Sequence, residues 1–132
     1  METIGRYALH ANTQLPFDQA LARVRELLAQ QGFGVLSEID VQGTLRDKLG
    51  VETRPYRILG ACNPAFAHRA IEAEPHAGVM LPCNLVVWDE GDHRVVTAIE
   101  PKVLGQVIES PAVLRVAQEV SSRMRWVVEN VG

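Results

Sequence analysis

The stretch Pro55–Trp88 reads PYRILGACNPAFAHRAIEAEPHAGVMLPCNLVVW and holds both cysteines and four of the seven prolines of the chain. Its start predicts a strand over Thr53–Ala61, with Pro55 near the beginning, where proline is tolerated, and Ile58 and Leu59 as the buried part. Asn63-Pro64 then joins a favoured N-cap to a favoured first helical residue. A helix over Pro64–Ala73 follows, with Ala67, Ala70 and Ile71 inward. Pro75, Gly78 and Pro82 break Glu74–Pro82 into a loop. Leu85–Asp89 returns as a strand. The stretch is therefore a strand–helix–loop–strand unit.

Toward the C-terminus, Glu90-Gly91-Asp92 is a tight turn and His93–Ile99 the returning strand of a hairpin. Pro101 opens a brief helical turn ending near Gly105. Ser110-Pro111 repeats the cap-then-proline signal. Val113, Val116, Ala117, Val120, Met124, Val127 and Val128 then trace the apolar stripe of a long closing helix. Toward the N-terminus, Val41–Leu49 is a short helix capped by Asp40, stopped at Gly50, with Val41, Leu45 and Leu49 on its inner face. Gly34–Ile39 is a strand. Phe17–Gln31 is an amphipathic helix whose Phe17, Ala20, Leu21, Val24, Leu27 and Leu28 share one face, with Asp18 suiting the helix dipole. Asn12–Pro16 is a turn, and Ile4–His10 a first strand. The order β-α-β-α-β-α-β-β-α gives an α+β fold: one mixed or mainly antiparallel sheet of about five strands, with helices packed on it.

A chain of 132 residues suits one domain, here residues 1–132, with a core that needs no disulfide or metal staple. The hydrophobic fraction of 47% and charged fraction of 22% are those of a globular protein. Net charge is −3 with both signs mixed, so there is no basic block for nucleic acid. Apolar runs such as Leu85–Trp88 are far too short to span a bilayer, and the start METIGRYALH has no apolar signal core. A cytoplasmic protein is expected, with no membrane partner and two free thiols.

Four segments carry a family resemblance. They are GFGVLSEIDVQ at Gly32–Gln42, KLG at Lys48–Gly50, PYRILGACNP at Pro55–Pro64 and LPCN at Leu81–Asn84. Together with the order of elements and the closing helix, they resemble the bacterial and archaeal family known as domain of unknown function 302. The combination of ILGxCNP with LPC at this separation is the specific part. The resemblance implies a small α+β domain that self-associates. It implies no activity, because the family has no established catalytic residues to carry over.

The candidate chemistry gathers around the two cysteines. Cys62 precedes a helix start, where thiol pKa values fall. Free cysteine is nonetheless among the most buried residue types, which weighs toward a packed thiol. Cys83 follows Pro82 and meets Cys62 if their strands are neighbours. The pair then reads as packed thiols, as a redox disulfide, or as a soft-metal site with Met80 or His68. The spacing matches no closed zinc pattern, so no metal and no cofactor are expected. His68 and Glu72 stand at i, i+4, the spacing of a solvated pair. His10, His76 and His93 have no partner near in sequence, and Gly32-Phe33-Gly34 joins a helix to a strand, the wrong order for a dinucleotide loop. Three helix starts follow strands, at Asp40, Asn63 and Glu100. Gathered at one sheet edge they would bind an anion, but Asp40 and Glu100 would repel it.

No catalytic pattern emerges, and the reading leans against an enzyme. The expectation is a non-catalytic ligand-binding or protein-interaction module that forms a homodimer, with the broad valine stripe of the last helix as one argument. Its ligand site is expected around Tyr56, Cys62, Asn63, Pro64, Pro82 and Cys83. The alternative is a thiol-dependent redox or metal-binding protein using Cys62 and Cys83.

Overall fold

The computed structural model describes residues 1–132. The chain runs through β1 (Glu2–Ile4), β2 (Ala8–Thr13), α1 (Phe17–Gln30), β3 (Gly34–Asp40), α2 (Val41–Leu49), β4 (Tyr56–Cys62) and α3 (Pro64–Ala73). A 3-10 turn at Pro75–Met80 leads to β5 (Cys83–Asp89), β6 (Arg94–Ile99), α4 (Lys102–Val107) and α5 (Pro111–Glu129). The six strands form one sheet in the order β1-β2-β6-β5-β4-β3. Every neighbouring pair is antiparallel. The fold is the expected α+β, with the sheet wholly antiparallel.

Side chains alternate between the two faces of each strand. One face carries Leu9, Leu59, Ala61, Leu85, Val87, Val96 and Ala98. Against it pack α1, through Ala20, Leu21, Val24, Leu27 and Leu28, and α5, through Val120, Met124, Val127 and Val128. A smaller cluster of Leu104, Val113 and Ala117 seats α4 on α5. Here Gly105 lies so close to Leu114 that any side chain would collide with it. The valine stripe of α5 is consumed by this packing within its own chain: Val113, Val120, Val127 and Val128 are all buried. The stripe is therefore not spare surface for a partner.

Local signals act as expected at three helix starts. The Asp40 carboxylate accepts the Gly43 N–H at 3.0 Å, and the Ser110 hydroxyl accepts that of Val113 at 3.3 Å. Asp18 lies in the first turn of α1. Asn63 stands at the N-cap of α3 but accepts no hydrogen bond there; its amide donates to the Gln31 carbonyl at 3.2 Å and ties α3 to the end of α1.

Several boundaries differ from the sequence reading. The first strand is two, split because Gly5 adopts φ 53° and folds β1 back on β2. Asn12 and Thr13 belong to β2 rather than to a turn, since β6 offers them partners at Val95 and Arg94. Thr53–Pro55 lie outside β4, which takes in Cys62 instead. Strand β5 begins at Cys83, two residues early, because Ala61 and Gly60 pair with Cys83 and Asn84. The turn opened by Pro101 runs on to Val107 as α4. Leu49 and Ile71 are not inward: they are 69% and 43% exposed, because α2 and α3 lie at the periphery of the sheet. Nor do the helix starts gather. Strands β3 and β4 are antiparallel, so α2 begins at the sheet end opposite to α3.

Candidate functional site

The second face of the sheet has no helix layer. It carries Ser37 and Ile39 of β3, Tyr56, Ile58, Gly60 and Cys62 of β4, Asn84, Val86 and Trp88 of β5, and Val95 and Thr97 of β6. Ile58, Val86 and Trp88 remain half-buried and Ile39 is exposed. Val95 on this face is buried, Ile99 at the far end of β6 packs against the cluster around Leu104, and α2 approaches the face at the end where β4 begins.

There Tyr56 and Trp88 are cross-strand partners and stack, with ring centroids 5.7 Å apart and planes within 8°. The stack is held from one side. Trp88 Nε1 donates to Glu90 Oε1 at 2.6 Å, and Arg54 Nη1 reaches the same oxygen at 2.5 Å. The indole hydrogen bond first, and then the Arg54 guanidinium, keep the Glu90 carboxyl below its usual range. It stays ionised and keeps the indole fixed. Val41 and Leu45 of α2 face the aromatic pair across a groove of about 450 Å³, closed at the rim by Thr53 and Arg54. Gln42 Nε2 donates to the Thr53 carbonyl at 2.9 Å and fixes the segment leading into β4. The site can hold a flat or apolar group against an aromatic plane.

The other end of the open face is built around Gly60. A Cβ there would lie 2.8 Å from Pro82 Cγ and would also strike the Ser37 hydroxyl. The Leu81–Pro82 bond is cis, and the Pro82 ring lies against the glycine backbone. Cys62 ends β4 on this same face, half-buried.

Cys83 is elsewhere. Its cross-strand partner is Ala61, so it points into the sealed core, 6% exposed, whereas Cys62 alternates to the opposite face. The strands are neighbours, as the meeting of the thiols required, but the register turns the two sulfurs apart. Both are free. Burial, and then the nearby Cys62, push the Cys83 thiol up to about 11. His68 stands on the outside of α3, paired with Glu72 at 3.1 Å. Met80 packs against the small cluster of Leu104, Val113 and Ala117. No three His, Cys, Asp or Glu side chains converge as a metal site would require. Of the six expected ligand residues, Tyr56 belongs to the aromatic groove. Cys62 and Pro82 lie at the Gly60 end, Asn63 and Pro64 start α3, and Cys83 is core. Sequence reasoning missed Trp88, Glu90, Arg54, Val41 and Leu45. Their only signal was the tryptophan at the end of β5, and its partner depends on a register that spacing does not reveal.

These features define a small α+β domain built on one antiparallel sheet, sealed on one face and open on the other. Residues 9–131 match the family model for the domain of unknown function DUF302, and the chain belongs to that family. It is also similar to an uncharacterized conserved DUF302 protein from Bacillus stearothermophilus, known from a crystal structure. The two are 28% identical, over 95% of this chain and 98% of that one, with a TM-score of 0.86. Comparison with curated proteins finds no match. No helix is long and apolar enough to cross a membrane.

Proposed function

We propose that this chain is a non-catalytic binding module that works through the open face of its sheet and self-associates there. The observation that carries the reading is the contrast in cover. Two helices seal one face, while Ile39, Ile58 and Val86 lie on a face that only α2 overhangs, beside the Tyr56–Trp88 stack. A continuous apolar patch on a folded domain marks an interaction surface. Two such faces pack in the manner of a β-sandwich, sheet on sheet at about 10 Å. The groove between α2 and Trp88 supports the ligand-binding half of the reading, for a small apolar or aromatic molecule. Two free thiols fit a reducing, cytoplasmic setting. The thiol-dependent alternative gains nothing from the register, which turns Cys62 and Cys83 to opposite faces.

Sedimentation tests the reading. The wild-type chain is expected to sediment as a dimer, and Val86→Arg as a folded monomer. In a Trp126→Phe background Trp88 is the sole indole, and its emission should shift to the blue as concentration rises. A monomeric wild type, or a Val86→Arg protein that still dimerises, would overturn the proposed face.

A further inference from the structure

A second concave site lies at the β1 edge, between the β1–β2 turn, the end of β6, α4 and α5. It encloses about 200 Å³. That is smaller than the ~300–1,000 Å³ typical of pockets for drug-sized ligands, so it suits a compact ion. Its charged walls are Arg6, Lys102, Arg125 and Glu100.

Glu100 decides the sign of this site. It is 6% exposed, yet its carboxylate is fully engaged. Oε1 accepts the Ser121 hydroxyl at 2.5 Å and the Lys102 N–H at 3.1 Å. Oε2 accepts Arg125 Nη2 at 2.7 Å. Burial alone would raise the Glu100 pKa, but these hydrogen bonds and the Arg125 charge together hold it below the usual range. One negative charge is thus cancelled by one guanidinium. Arg6 and Lys102 form no ion pair and remain as uncompensated positive charge at the mouth. The repulsion that Glu100 threatens in the sequence is removed by Arg125.

Arg125 engages Glu100 through Nη2 alone; Nη1 makes no hydrogen bond within the chain and is free to donate to a ligand oxygen. We infer that the cavity between Arg6, Lys102 and Arg125 binds a phosphate-type oxyanion. Guanidinium and ammonium groups suit its tetrahedral oxygens, and the small volume leaves little room for a substituent.

The full chain should be titrated with inorganic phosphate by calorimetry and by thermal melting, against sodium chloride of equal ionic strength. Phosphate is expected to raise the melting temperature beyond the chloride control, by mass action on the folded state. Backbone amide resonances of Arg6 and Lys102 should shift with it. Arg6→Ala and Lys102→Ala each remove an exposed side chain with no ion pair, so both should fold. Each is expected to weaken phosphate about tenfold, and the pair to abolish the shift. A methyl phosphate arm separates the two sources: binding of inorganic phosphate alone identifies the free ion, and equal binding identifies the terminal phosphate of a larger molecule. A phosphate effect no greater than that of chloride, or one undiminished in the double variant, would overturn the inference.

Discussion

The two faces of the sheet differ in what their side chains are asked to do. On the sealed face Leu9, Leu59, Leu85, Val87 and Val96 are entirely without solvent contact. On the other face Ile58, Val86 and Trp88, offset by one residue in the same strands, keep part of their surface in water. Composition barely separates the two sets. Cover separates them: α1 and α5 close one face, whereas the other is covered only in part, chiefly by α2 at one end. Residues on the first face should therefore govern stability and those on the second should govern association.

The largest effect expected from that contrast is at Leu85. Leu85→Ala leaves a cavity in the middle of the core, and such truncations cost about 2–5 kcal/mol. Val86→Ala, its neighbour on the open face, should cost about 1 kcal/mol or less in the monomer. Denaturant unfolding of the two variants decides the matter; equal losses would mean that the open face is also core.

Next is the polar clasp that joins the end of β6 to α5 on the sealed side. Glu100→Gln keeps the shape but removes the charge facing Arg125. Hydrogen bonds to charged groups contribute about 1.5–3 kcal/mol, and a loss in that range is expected at neutral pH. The pH dependence has a definite sign. The Glu100 pKa is lowered in the folded chain, so its contribution is present above the ordinary glutamate value of 4.5 and is lost as pH falls below it. The wild type and Glu100→Gln should therefore converge in acid. A gap that widened as pH fell would contradict the clasp.

On the open face the corresponding constraint is steric. Gly60→Ala drives a methyl group toward the Pro82 ring and the Ser37 hydroxyl, at an expected cost of about 1–3 kcal/mol. Pro82→Ala removes the ring carbon that the methyl would meet. The double variant Gly60→Ala, Pro82→Ala should lose less than the sum of the singles, because residues in contact couple. Strict additivity would show that the close approach is relaxed in solution.

What the sequence made legible follows from how local each signal is. Helices α1, α2 and α3 carry their starts within a few residues, at Asp18, Asp40 and Asn63-Pro64, and all three lie within a residue of the expected positions. The Glu90–Asp92 turn announces its hairpin in the same way. Strand order and register are not local. Nothing near Cys62 says that Ala61 will face Cys83, and nothing near Trp88 says that Tyr56 will stack on it. The periodicity of α2 and α3 names an inner face but not how far the sheet extends beneath it, which is why Leu49 and Ile71 emerge exposed. The Glu100–Arg125 pair joins positions 25 residues apart, beyond any spacing argument.

The smallest energetic effect, and the finest division between the faces, is at the two thiols. Cys83 lies on the sealed face with its thiol pushed up to about 11. At pH 8 about one molecule in a thousand then carries the reactive thiolate, and the core restricts access to it. Cys62 ends β4 on the open face and is reachable. In Cys83→Ser the remaining Cys62 should react readily with an aromatic disulfide reagent. In Cys62→Ser the remaining Cys83 should react only as fast as the core opens. Cys62→Ser should change stability by no more than about 0.5 kcal/mol, as at other surface sites. Cys83→Ser places a hydroxyl in an apolar environment and should cost about 1–3 kcal/mol. A disulfide between the two that formed under mild oxidation, with the native melting temperature retained, would break the comparison. It would require β4 or β5 to slip by one residue against the other, and such a slip would carry either Leu59 or Leu85 out of the core.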